Sequence, residues 1–565
     1  MPRTLITRLI FSAVMAVAPV TYAHAEASAG SYLSARHASF FADFQNAVIF
    51  YIRALAQDPK NPVLLENAVS AHANLREFEK ANIFATRLLD MGVDSQVGHL
   101  ANAAYLIGQG DFETIISKSQ NNAGIGPLVD GLLLAWAYVG EGKMSDALAQ
   151  FDTVADSPGL KGFALFHKAL ALTSVGDLEG ADALFSGRAA GPLQQTRRGA
   201  LAHAEILSQL ERNEDAIELI DRVFGNDLDP GLRAKRMVLA GGGTLDLTVV
   251  RDAKDGSAEV FYSVASALGG EASPAYALLY SRAAEFLRAD HIEALLLSAD
   301  LLEELEQFEL ANATYDRVPR NDPAFHAAEL GRSAALRKAG RNDAAIEVLR
   351  QLQETHGELP NVHITLGDVL RRLERYEEAA VAYDQAIDLF VDEQRGQWFA
   401  YYVRGIARER TDRWDAAEAD FRKALELNPD QPQVLNYLGY SLVEKNIKLD
   451  EALTMIETAV AAEPESGYIV DSLGWVLFQL GKYEEAVGHL ERASELEVVD
   501  PVVNDHLGDA YWAVGRTIEA EFQWNRALSF DPTEEDAKRI RRKLEVGLDQ
   551  VWAEEGREPL ELASD

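Results

Sequence analysis

Apolar and polar positions along this chain repeat with the period of an α-helix, interrupted at short intervals by tight turns. DSLGWVLFQLGKYEEA (Asp471–Ala486) shows the unit: Leu473 and Leu477 share one stripe of a first helix, a short turn follows, and an acidic run opens a second helix. Gly474 lies inside the first helix, where it costs about 1 kcal/mol relative to alanine. The motif recurs as YLGYSL (Leu438-Gly439), SLGWVL (Leu473-Gly474) and HLGDAYW (Leu507-Gly508), spaced 35 and 34 residues apart. Twelve residues after the glycine an alanine follows in the second helix, as in Gly474 to Ala486 and Gly508 to Ala520. Leu490 and Ala493, then Trp524 and Ala527, complete two units.

The alanine marks the period through nearly the whole chain. Upstream of Ala486 it falls at Ala452, Ala417, Ala379, Ala345, Ala311 and Ala277; in the N-terminal half the series is Ala47, Ala81, Thr114, Ala147, Ala181 and Ala216. Pro59, Pro323, Pro429, Pro464 and Pro532 close units where a helix must stop. Paired small residues such as Gly474 and Ala486 let two helices approach closely while Leu473, Leu477 and Leu490 fill the core around them. The spacing breaks between Ala216 and Ala277, where 61 residues separate the marks. That interval contains LAGGGTLDLTVVRDAKDG (Leu239–Gly256), Gly-rich, β-branched and without helical amphipathicity, and it reads as an irregular junction.

A period of 34 residues with L-G in helix A, alanine opening helix B, a later aromatic with alanine, and a closing proline resembles the tetratricopeptide repeat. The resemblance implies an all-α solenoid of helix-turn-helix units, a right-handed superhelix of about 14 repeats. The expected organisation is a leader at 1–25, a degenerate N-terminal arm at 26–226, the junction at 227–256, a C-terminal arm at 257–534, a capping helix at 535–556 and a tail at 557–565. In the cap, Ile540, Leu544, Leu548 and Val551 form the inner stripe, and Lys538, Arg539, Arg541, Arg542 and Lys543 are expected on its solvated face. The run from Leu435 to Ala493, with VNDHLGDAYWAVGRTIEAEFQWNRAL after it, is similar to the C-terminal repeats of proteobacterial envelope proteins of this family. These include the outer-membrane lipoprotein that scaffolds a carboxyl-terminal processing protease.

The leader changes the compartment. Arg3 and Arg8, the apolar run Leu9–Val20 and Ala23-His24-Ala25 describe a secretory signal peptide, placing the mature start near Glu26 and the protein in the periplasm. No later stretch reaches 18 uninterrupted apolar residues. There is no cysteine, which removes disulfides, thiolate metal sites, cysteine nucleophiles and a lipid anchor on an N-terminal cysteine. The formal charge is -36, and loss of the leader takes away two arginines and no acids, leaving -38. Nucleic acid is therefore a poor partner, and a basic or apolar protein segment a better one.

Catalytic patterns are missing: there is no H-E-x-x-H and no G-x-S-x-G, and Gly241-Gly242-Gly243 lacks the lysine of a phosphate loop. Twelve histidines are scattered without ligand spacing, and His363 and His506 read as structural. No cofactor or metal is expected, and the chain is not read as an enzyme. The repeat resemblance implies that the second, fifth, ninth, twelfth and thirteenth positions of each helix A face a concave groove. Those places give Tyr402, Asn436, Tyr440, Asp471, Trp475, Phe478, Asp505, Asp509 and Trp512 as candidate protein-binding residues. The alternative for Trp475 and Trp512 is packing between neighbouring units. Asp471, Asp505 and Asp509 stand where carboxylate-clamping repeats carry Lys and Asn, which argues against a receptor for chaperone tails. The expected function is a periplasmic scaffold or adaptor, in its most specific version one that recruits or activates a processing protease. The alternative is an assembly factor that shields secreted or outer-membrane clients.

Overall fold

The structure, a computed structural model, describes residues 20–119, 124–191, 193, 196–225 and 228–557. Residues 1–19 of the expected leader and 558–565 of the expected tail lie outside the described residues. The described residues form 31 α-helices and one 3-10 turn (Arg395–Gln397), with no strand among them. Consecutive helices joined by three-residue turns pack as antiparallel hairpins, as the short connections require. Each turn carries a left-handed residue two places before helix B, glycine at Gly481 (φ 76°) and glutamate at Glu374 (φ 59°).

The alanine series locates helix B to the residue. Ala47, Ala81, Ala147, Ala181, Ala216, Ala277, Ala311, Ala345, Ala379, Ala417, Ala452, Ala486 and Ala520 are each the fourth residue of their helix, and all are buried. Thr114 is the exception, half-buried in the short helix Phe112–Lys118. The helix A glycines face the other half of the contact. A Cβ at Gly474 would lie 2.5 Å from Leu490 Cγ, and one at Gly508 would lie 2.5 Å from Trp524 Cδ1. Gly367 and Gly405 meet Tyr383 and Phe421 in the same way, each sixteen residues downstream. The helix penalty of the glycine is offset by seating a large helix B side chain against bare backbone.

The chain divides into two compact units, Met1–Leu349 and Arg350–Asp565. In the first, hairpins run from Val20–Phe40 with Phe44–Leu55 to Arg197–Gln209 with Asn213–Phe224. The expected junction at 227–256 differs in detail: it contains the helix Pro230–Ala240, and only 241–252 runs without one before Ala253–Ala267 begins. Pro230 at the first position and the Asp229 side chain, which accepts from Leu232 N–H at 3.0 Å, start that helix. The non-helical stretch is held by a buried partner. Glu205 accepts from Thr248 N–H at 2.8 Å, and Ser208 Oγ accepts from Leu245 N–H at 2.9 Å.

In the second unit the hairpins follow one another from Pro360–Arg372 with Tyr376–Asp388 to Pro501–Ala513 with Thr517–Leu528. The expected capping helix is two helices, Glu534–Val546 and Leu548–Glu554, broken at Gly547 (φ 84°), whose backbone passes directly over the Trp512 ring. Ile540, Leu548 and Val551 are buried and Leu544 is half-buried, so the inner stripe is in place.

Candidate protein-binding groove

Four A helices of the first unit are covered by a hairpin of the same chain. The hairpin Ala253–Ala267 with Pro274–Leu287 packs across the A helices Pro62–Asn74, Gln96–Gln109, Pro127–Gly140 and Lys161–Ser174. Close approach makes the fit possible: a Cβ at Gly256 would lie 2.3 Å from the Trp136 ring, and one at Gly108 would lie 2.7 Å from Phe286. Two cations of the hairpin dock on carbonyls at helix C-terminal ends, Lys254 on Gly108 O at 3.4 Å and Arg282 on Asn74 O at 3.2 Å. Glu259, fully buried, pairs with Arg198 and with His291 Nε2 at 3.1 Å. Burial alone would raise the Glu259 pKa, but Arg198 and His291 beside it bring it down to about 2. Beyond the hairpin a cavity of about 610 Å3 remains, walled by Phe163, Phe166, Phe185 and Tyr262.

All nine candidate residues lie in the second unit, and the structure distributes them along one face of successive A helices. Tyr402 is half-buried within an aromatic cluster of Trp398, Phe421 and Tyr437. Asn436 is half-buried on the helix Pro432–Glu444, one turn before Tyr440. Trp475 is only 6% exposed; its ring stacks on His506 at 3.9 Å and on Phe478 at 5.0 Å, and its Nε1–H donates to Glu444 Oε1 at 2.8 Å. Phe478 is buried beneath it against Trp552 of the terminal helix.

The groove acids are compensated from within the chain. Asp471 lies 3.0 Å from His506 Nδ1. Burial pulls the His506 pKa down, but Asp471, Asp505 and Asp509 outweigh it and hold the imidazole above its usual value. Lys543 is fully buried with its Nζ 2.8 Å from Asp505 and 2.6 Å from Asp509, while Arg539 lies 3.7 Å from Asp509 and 2.7 Å from Glu555. Expecting the basic cluster to be a solvated face is thus incorrect for Lys543 and Arg539, which point into the groove; Lys538 and Arg541 do face outward. The reason is the acids themselves: two carboxylates brought together in a buried site need a cation there. Trp512 is likewise covered, packed on Trp524 at 5.4 Å with its N–H donated to Asp549 of the helix Leu548–Glu554.

What stays open is a cavity of about 560 Å3 between the helices Pro432–Glu444, Gly467–Gln479 and Pro501–Ala513 and the terminal pair. Tyr440, Trp475 and Asp505 reach it from the candidate set, joined by Glu444, Gln479, His506 and Val502. Glu444 and Gln479 occupy the thirteenth position of their units and Val502 the second, places that the groove map itself contains. His506 sits beside the fifth position and is signalled only by the pairing with Asp471 across the repeat. Among the described residues no group of three or more His, Cys, Asp or Glu could hold a metal ion, and no helix is long and apolar enough to cross a membrane.

Comparison with known proteins agrees with this architecture. The profile of the tetratricopeptide repeat family matches residues 296–360, 364–432, 402–448 and 438–496, so these segments carry tetratricopeptide repeats. The TPR repeat-containing protein PA4667 of Pseudomonas aeruginosa is 29% identical over 214 residues, covering 37% of this chain and 35% of that one. The chain matches about a third or less of the length of its first curated relatives. Among solved structures, that of the APC/C hetero-tetramer Cut9-Hcn1 aligns over 93% of this chain and 98% of that chain at 14% identity, with a TM-score of 0.38. Yeast Tom70 aligns over 94% and 99% at 14% identity, with a TM-score of 0.34.

Proposed function

We propose that this array of tetratricopeptide repeats is a non-enzymatic scaffold that holds a protein partner in the open cavity of its C-terminal groove. The observation that carries the reading is the cavity that the A helices of the second unit leave open. It measures about 560 Å3, is walled by Tyr440, Trp475, Val502 and Pro501, and takes in three of the nine expected groove residues, Tyr440, Trp475 and Asp505. Aromatic and apolar walls with a few polar groups at the rim are what anchors a partner segment. The leader motif supports a periplasmic site of action, and the similarity of the last repeats to envelope scaffold proteins supports recruitment or activation of a processing protease as the specific form. A second reading, a holder of secreted or outer-membrane clients, is favoured by the exposed Tyr468, Val499 and Val502, which would meet many apolar ligands weakly.

The test is a pull-down from envelope extract with the full chain beside a Val502→Glu variant. Val502 is 44% exposed, so the substitution changes the cavity wall without touching the core. One protein recovered in stoichiometric amount with wild type and lost with the variant supports the scaffold. Many weak ligands support the holder. Retention of the same partner by both forms places binding elsewhere and overturns the reading.

A further inference from the structure

The cavity has a charge that the fold has left unanswered. Of the carboxylates on the groove face, Asp471 has His506, and Asp505 and Asp509 have Lys543. Glu444 has only neutral hydrogen-bond donors, the Trp475 indole and the Tyr440 hydroxyl, and no lysine, arginine or histidine forms an ion pair with it among the described residues. It is also the last residue of the helix Pro432–Glu444, where the helix dipole adds partial negative charge. The next acids along the groove show what such a position accepts: Lys543 reaches in from the terminal helix, its ammonium between two carboxylates and 5.8 Å from the Trp524 ring. Indole and carboxylate together hold a lysine there. An indole on a carboxylate recurs at Trp475 and Glu444; here the ring is stacked between His506 and Phe478, and it is the exposed carboxylate that faces the cavity without a second Lys543.

We infer that the cavity binds a lysine or arginine side chain of an extended partner segment, its charge on Glu444 and its apolar stem along Tyr440, Val443 and Val502. This rests on the groove reading above and names the side chain that the groove selects. Arg557 feels the Glu444 charge, but neither of the two arginines on the far wall closes an ion pair with it. Arg539 is committed to Glu555 and the groove aspartates, and Arg557 stacks on Trp552 at 4.2 Å and donates to Gln479 at 2.9 Å.

The experiment uses the immobilised full chain and four pools of synthetic heptapeptides, with lysine, arginine, norleucine or glutamate fixed at the centre and the flanks degenerate. The expected result is about tenfold stronger retention of the lysine and arginine pools over norleucine, the difference a charge-assisted hydrogen bond makes. Glu444→Gln, which keeps an acceptor for Trp475, should bring that ratio to one, and Glu444→Lys should turn the preference to the glutamate pool. Far-UV circular dichroism checks that both variants fold. Equal retention of the four pools by wild type, or a cation preference that survives Glu444→Gln, overturns the inference. Val502→Glu separates the two levels: uniform binding that this variant abolishes keeps the groove and removes the cation pocket, while uniform binding that it leaves intact removes both.

Discussion

At the scale of single residues, the glycine of helix A and the histidine of the groove make the sharpest predictions. Gly474→Ala puts a methyl group 2.5 Å from Leu490 Cγ and 3.2 Å from its backbone nitrogen, and side-chain motion cannot relieve the second contact. Overpacking of this kind costs about 1–3 kcal/mol. Urea denaturation should show that loss, with Leu490→Ala failing to restore wild-type stability when combined with it. His506 has a folded pKa held above 6.5, so its share of stability is complete below that value and is lost as pH rises through the folded pKa. Burial raises the Asp505 pKa above 3.8, with Lys543 opposing, so its share is also lost as pH rises but starts to go from a lower pH than that of His506. Melting temperature followed by circular dichroism should therefore fall from about pH 6.5 upward, and Asp471→Asn should flatten that slope. The glycine and alanine were legible in the sequence because both report a contact between helices only a dozen residues apart. Glu444 and Val502 were legible in principle, standing at groove positions, but a single glutamate and a single valine look no different from the many others on these helices.

At the scale of elements, the terminal helices act as a lid on the last groove as much as an end cap. Lys543 is buried between Asp505 and Asp509, and removing one partner of a buried ionic group leaves charge unpaired at a cost of about 3–5 kcal/mol. Lys543→Met should lose stability of that order, and Asp505→Asn with Asp509→Asn in the same chain should recover much of it. Chemical denaturation of the three proteins measures the comparison. Solvent exposure alone predicts no such rescue. The sequence showed the apolar stripe of this helix but misassigned its charges. A basic run on one helix cannot tell which of its members faces carboxylates contributed from 34 and 38 residues upstream.

At the scale of the molecule, the two units are held together by different logic. In the second, each hairpin touches its neighbours in sequence, so its stability is a sum of local terms and hydrogen exchange should show graded protection along the array. In the first, Ala253–Leu287 bridges repeats distant in the chain, and protection should be uniform from Pro62–Asn74 to Lys161–Ser174. Gly256→Val, driven into the Trp136 ring, should lower protection in all of these helices together. Periodicity revealed the repeats because they are local, but it registered the hairpin only as a broken interval, since nothing periodic marks a helix that crosses others. That crossing has a consequence in time. Asn74 leaves the ribosome 208 residues before Arg282, which at about 5–20 residues per second is an interval of about 10–40 s. Until the hairpin follows, the first repeats have nothing to cover the faces it will occupy, so their packing can be completed only late in the emergence of the chain.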